Sequence, residues 1–181
     1  MTRQNKLPKV SRVILNLIVR NVKKTDRMLE IGCASAHISA ELQSLGFSIS
    51  GIEIRPDAVA NTKKNLPSFN IQQGDVLQHD DKYDAVWCSG LIQCLDDAQK
   101  RAFFGHCVNL APKAIFIVPE RLDYLPPAAS DFKVAVSGCE EFPTGNIPFM
   151  LSDYYDNIRI GKWPAADIGL EIPFIYYICT K

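Results

Sequence analysis

The chain has 181 residues, enough for one domain with a substantial core and too few for a second full one. With 47% hydrophobic and 22% charged residues it is not disordered, collagen-like or a coiled coil. Twenty basic side chains balance twenty acidic ones, which removes any global electrostatic argument for nucleic acid or a membrane surface.

The first 24 residues nevertheless hold seven basic side chains (Arg3, Lys6, Lys9, Arg12, Arg20, Lys23, Lys24) and no acidic one. Two readings are open, an arm for an anionic partner and the solvated face of a helix, and we favour the second. Val10, Val13, Ile14, Leu17, Ile18 and Val22 recur at helical spacing and predict an amphipathic helix over 10–23. The apolar run 13–19 is broken by Asn16 and too short to span a bilayer, and no secretory cleavage site follows it. A short buried strand at 28–31 ends at Gly32, and a helix over 36–45 stops at Gly46. A second buried strand is predicted at 47–54. A helix over 57–65 then opens with Pro56 near its first turn and is ended by Pro67.

Ile71 marks a short third strand leading to Gly74-Asp75, and 85–87 a fourth. Asp96 or Asp97 caps a helix through Leu110, Pro112 ends it, and 114–118 is a wholly apolar fifth strand. Alternating buried strands and helices imply an α/β fold whose mostly parallel sheet is covered on both faces. From Pro119 onward the rhythm changes. Seven of the eleven prolines lie there, so long loops are expected. A helix or edge element at 152–162 and a closing strand at 174–180 follow. The chain divides into a core at 10–120, lid and acceptor-binding elements at 121–173, and that final strand.

Six cysteines (Cys33, Cys88, Cys94, Cys107, Cys139, Cys179) form no CxxC pair, and His37, His79 and His106 add no finger-like spacing, so no metal site is expected. Thiols in apolar runs behave as small hydrophobes and point to a reducing cytoplasm.

In an open α/β sheet, ligands bind beyond the carboxyl ends of the strands. The loops there carry Glu30-Ile31-Gly32-Cys33-Ala34-Ser35-Ala36, then Glu53, then Gly74-Asp75-Val76, then Cys88-Ser89-Gly90. Glu53 lies twenty-one residues past Gly32, the distance at which a carboxylate accepts from a ribose. Singly, Glu53 reads as a solvated carboxylate and Gly74-Asp75 as a turn; in order on successive strand ends they favour a cofactor site.

Over about residues 10–120 the sequence resembles the class I S-adenosylmethionine-dependent methyltransferases, whose first motif is an acidic residue followed by Gly-x-Gly-x-Gly. Here Ala34 and Ala36 replace two of those glycines. The resemblance implies a Rossmann-like, seven-stranded, mostly parallel sheet with helices on both faces and an antiparallel C-terminal strand. It implies that the backbone from Gly32 to Ala36, through Cys33 and Ala34, faces the methionine and ribose, with Glu30 helping to hold the amino group. Glu53 takes the ribose hydroxyls, Ile54 presses on the adenine, Asp75 and the Val76 backbone bind its amine, and Cys88 and Ser89 lie near the reactive methyl.

An alanine at a glycine position either keeps a negative φ at little cost or turns left-handed at about 1 kcal/mol. A scaffold that has lost the cofactor is therefore one rival reading. A nicotinamide dehydrogenase is a weaker one, because G-x-G-x-x-G would require glycine where Ala34 and His37 stand.

Methyl transfer needs alignment more than a nucleophile. Candidate bases for an acceptor proton are His37, Asp96, His106 and Glu120; for each a structural role (a helix cap for Asp96, a helix face for His106, solvation for Glu120) is the stronger reading. The fourth strand ends Trp87-Cys88-Ser89-Gly90, without the Asn/Asp-Pro-Pro-Tyr of amino-group methyltransferases acting on DNA or glutamine. Leu91 to Asp97 resembles the corresponding loop of small-molecule methyltransferases. Glu30 to Ala34 resembles nodulation-type N-methyltransferases more distantly. Tyr124, Phe132, Phe142, Phe149, Tyr154, Tyr155 and Trp163, among prolines, suit an aromatic lid over a small-molecule acceptor. Packing of those rings onto the sheet is the competing reading. The expected partner is thus a small-molecule methyl acceptor, with nucleic acid secondary and no membrane.

Overall fold

A computed structural model describes residues 7–120 and 146–181. The strands are β1 (Arg27–Ile31), β2 (Ser48–Glu53), β3 (Ile71–Gln73), β4 (Ala85–Ser89), β5 (Lys113–Pro119), β6 (Asn157–Trp163) and β7 (Phe174–Thr180). They form one seven-stranded sheet in the order β3-β2-β1-β4-β5-β7-β6. The first five run parallel. β7 lies antiparallel between β5 and β6, pairing Lys113 with Thr180 and Pro119 with Phe174 on one side and Trp163 with Phe174 on the other. The expected α/β architecture, including the antiparallel last strand, is what the chain adopts.

Helices α1 (Lys9–Asn21), α2 (His37–Ser44), α3 (Pro56–Asn65) and α6 (Ala165–Ile168) cover one face. Ile14, Leu15 and Ile18 of α1 pack there with Met28, Trp87, Ile115 and Phe174. Helices α4 (Asp97–Leu110) and α5 (Ile147–Ser152) cover the other, where Phe104 lies 5.1 Å from Phe116, centroid to centroid. Burying both faces explains why the central parallel strands β4 and β5 read as continuous apolar runs at 85–88 and 114–118. α4 starts where Asp96 accepts from the Gln99 N–H and the Gln99 side chain accepts from the Asp96 N–H, a reciprocal cap contributing about 1 kcal/mol. At the end of α1, Lys113 Nζ donates to the Asn21 carbonyl at 2.8 Å. Lys9, Arg20, Lys23 and Lys24 are exposed and Arg12 is half-buried, as a solvated face requires; Arg3 and Lys6 lie outside the described residues.

Of the two readings of 152–162, the edge element is the one adopted over most of the segment: α5 ends at Ser152 and edge strand β6 begins at Asn157. Gly161 is required in β6 because the Tyr176 ring crosses it; a Cβ there would lie 2.1 Å from Tyr176 Cζ. Helix α2 starts at His37 rather than Ala36, since Ala36 is left-handed at φ +49°.

Candidate functional site

The parallel strands deliver the ends of β1, β2, β3 and β4 to one edge, and the chain reverses its order of winding between β1 and β4. There the loops after β1 and β4 meet. A Cβ on Gly32 would come no nearer than 3.7 Å to Leu91, so the residue's φ of +69°, not crowding, is what asks for glycine.

The loop after β1 is built from outside itself. Gly32 N–H donates to the Ile52 carbonyl at 2.9 Å, fixing the loop to β2. Cys33 is buried and fills the space left by Gly51, where an added Cβ would sit 2.6 Å from Cys33 Sγ. Ala34 and Ala36 are the two non-glycine residues with positive φ among the described residues, at +43° and +49°. The conformation is therefore the glycine-type one, adopted by alanine at roughly 1 kcal/mol or more each.

Glu53 ends β2 and is only 5% exposed. One carboxylate oxygen accepts from the Ala34 N–H at 2.9 Å and the other from the Arg55 N–H at 3.0 Å. Each oxygen has a second lone pair, so the carboxylate can still accept from two vicinal hydroxyls. Beside it, Ile54 is 63% exposed, a flat apolar surface at the mouth of the loop. Asp75 follows β3, and one of its oxygens accepts from the Leu77 N–H at 2.9 Å, opening the single turn that begins at half-buried Val76.

Glu30 lies beneath this loop. Burial pushes its carboxyl up to about 8, a hydrogen bond donated by Ser39 opposes the rise, and the neighbouring Glu53 charge adds to it. Burial likewise pushes the Cys33 and Cys88 thiols well above the ordinary range, so both stay protonated. Cys88 is fully buried with its side chain in the α4-side core, so only its backbone reaches the edge, whereas Ser89 is half-buried and Gly90 turns at φ +78°. Cys33, Cys88, Cys107 and Cys179 are buried free thiols, and among the described residues there is no group of three side chains able to hold a metal.

The four candidate bases separate. His37 stands at the start of α2, its two ring nitrogens each 2.9 Å from a serine hydroxyl, Ser11 and Ser35, and partial burial lowers its pKa. Glu120 leaves β5 at the same edge and pairs with Lys162. Asp96 is occupied as a helix cap. His106 is 2.8 Å from the His79 carbonyl, on the outer side of α4 beside a hollow lined by Arg101 and Tyr154, away from the strand ends. Of the aromatic residues, Trp163 packs on Tyr176 with centroids 4.7 Å apart, and Tyr155 is buried against Phe116. Tyr154 is half-buried and Phe149 exposed. Tyr124, Phe132 and Phe142 lie outside the described residues.

Two residues escaped the sequence reading. Ser39 is fully buried and donates to Glu30 Oε2. Thr62 is 2% exposed and donates to the Ala34 carbonyl at 2.7 Å. A signal for Thr62 existed: it falls three residues after Val59, on the buried side of α3, where a hydroxyl must find a partner.

The donor set fits an adenosyl cofactor, with a carboxylate for vicinal hydroxyls, an apolar surface beside it and a second carboxylate one strand further on. Residues 28–114, just under half of the chain, match the family model described as "Methyltransferase domain". A probable cobalt-precorrin-6B C(15)-methyltransferase (decarboxylating) of Methanobrevibacter smithii is 29% identical over 65 residues, 36% of this chain and about a third (35%) of that protein. Magnesium protoporphyrin IX methyltransferase from Synechocystis, solved with bound S-adenosylmethionine, superposes with a TM-score of 0.71 at 16% identity, over 98% of this chain and 79% of that one. The glycopeptide N-methyltransferase MtfA, solved with S-adenosylhomocysteine, gives 0.70 at 14% identity, over 97% and 91%. At such identities the superpositions speak for the fold. Among the described residues no helix is long and apolar enough to cross a membrane. The strand order and these superpositions show a Rossmann-like fold of the methyltransferase type, within which residues 28–114 match a methyltransferase domain.

Proposed function

We propose that this chain transfers a methyl group from S-adenosylmethionine to an oxygen or nitrogen of a small-molecule acceptor in a reducing cytoplasm. The observation that carries the cofactor half is the loop itself. Ala34 and Ala36 keep the left-handed backbone of a glycine-rich turn, and Glu53 holds the Ala34 N–H. A scaffold that had abandoned the cofactor would have no reason to sustain that strain.

In this reading Glu53 accepts from the ribose hydroxyls and Ile54 lies against the adenine. Asp75, with the Val76 backbone, accepts from its exocyclic amine. Glu30 stands below the methionine amino group, the Gly32 to Ala34 backbone lines the cleft through Cys33, and Ser89 with the Cys88 backbone borders the methyl end. The cofactor supplies a sulfonium whose methyl is already activated. The chain's own work is to align the acceptor in line with it and keep water out. Glu120 and His37 are the groups at this edge able to move an acceptor proton. The Trp163–Tyr176 pair and Phe174, at the same end of the sheet, support an apolar or ring-bearing acceptor.

Calorimetric titration with S-adenosylmethionine, S-adenosylhomocysteine and NAD tests this first. Saturable binding of the adenosyl pair alone is expected; binding of NAD alone, or of none, refutes it. An acceptor screen should include carbon acceptors, because the precorrin relative is named for methylation at carbon.

A further inference from the structure

Rotations φ and ψ relate a residue to the peptide planes on either side of it, so a residue whose two planes are both held from outside has no freedom left. Ala34 is in that position. Its N–H donates to Glu53 of β2 at 2.9 Å, and its carbonyl accepts from the Thr62 hydroxyl of α3 at 2.7 Å. Both partners are distant in sequence, and Thr62 is buried on the side of α3 that carries Val59. Glycine reaches φ near +43° without steric cost, whereas alanine drifts back to negative φ unless something stops it.

We infer that Thr62 is a positioning residue for cofactor binding: its hydrogen bond to the Ala34 carbonyl holds the loop after β1 in the left-handed form that glycine would adopt unaided. The inference rests on the proposed reading in which that loop faces the cofactor. Thr62 does not touch the cofactor in this account. It acts through Ala34, and the need for it comes from the alanine.

The test is a double-mutant cycle on the full chain, read by S-adenosylhomocysteine titration and by thermal melting. Thr62→Val removes the donor while keeping the shape, and should weaken binding about three- to tenfold. Thr62→Ser restores the hydroxyl and should bind within about twofold of the unmodified chain. In an Ala34→Gly background the same Thr62→Val change should cost less than about twofold, because glycine no longer needs the clamp. A Thr62 that merely stabilises the fold would lower the melting temperature equally in both backgrounds and leave the affinity of folded protein unchanged. That result, or equal affinity losses in both backgrounds, overturns the inference. Should Thr62→Val fail to fold, Thr62→Ala supplies the same comparison. If the unmodified chain does not bind S-adenosylhomocysteine, the cofactor reading itself falls; if it binds and Thr62→Val binds equally, only the clamp does.

Discussion

Replacing the two left-handed alanines by glycine should give opposite results, because their methyl groups sit in different surroundings. A left-handed alanine costs about 1–2 kcal/mol that glycine avoids, and glycine's greater freedom in the unfolded chain takes back about 0.4–1 kcal/mol. For Ala34, which is half-buried, a net gain of about 0.5–1 kcal/mol remains. Ala36 is 1% exposed within the α1-side core, so its methyl also contributes about 0.8 kcal/mol of burial that glycine forfeits. Ala36→Gly should therefore be neutral or destabilising. In a chain of this length 1 kcal/mol moves the melting temperature by about 2–4 °C. Calorimetric melts should place Ala34→Gly about 2 °C above the unmodified protein and Ala36→Gly at or below it. A lower melting temperature for Ala34→Gly, or a larger rise for Ala36→Gly, would refute this account of strain and burial.

Glu30 makes stability depend on pH. Its carboxyl is held at about 8 by burial against an ordinary 4.5, so the folded chain keeps a proton that the unfolded chain surrenders. Stability should fall as pH rises from about 4.5 through about 8, and urea melts of Glu30→Gln should show a flatter profile across that window. An unchanged profile would mean that the carboxyl is already ionised. Asp75→Ala should weaken S-adenosylmethionine binding in calorimetry while the far-ultraviolet circular dichroism stays native; normal affinity would move the adenine elsewhere. Gly51→Ala forces a Cβ to within 2.6 Å of Cys33 Sγ and 3.0 Å of Phe69 Cε1, and should destabilise by about 1–3 kcal/mol in denaturant melts. Adding Cys33→Ala should recover part of that loss, and a failure to recover any would place the conflict at Phe69.

Sequence pattern located most of what the sheet needed. The strands expected at 28–31, 47–54 and 85–87 were legible because buried strands are rich in apolar residues, and the start of α4 was legible from the capping chemistry of Asp96 or Asp97, of which Asp96 is the cap. The turn at Ala34 and Ala36 was not legible. Local preference puts alanine at negative φ, and the bonds that overrule it come from Glu53 and Thr62, residues remote in the chain. Acidic residues near a glycine motif attract notice, whereas a threonine inside a helix does not, so Glu53 was singled out as a candidate and Thr62 was not. The α5 to β6 region was ambiguous for another reason. Asn157 to Trp163 is an edge strand exposed at Arg159, Ile160 and Lys162, so no burial alternation marks it as a strand.

The position of β7 between β5 and β6 has a consequence for synthesis. β5 can gain its second neighbour only after the last strand has left the ribosome, and β6 has no partner in the sheet until then. The five parallel strands can assemble while the chain is still tethered, but one edge of β5 and the whole of β6 stay open to other chains until Phe174 to Thr180 emerges. A nascent chain stalled in that interval is the form most exposed to aggregation and most dependent on a chaperone.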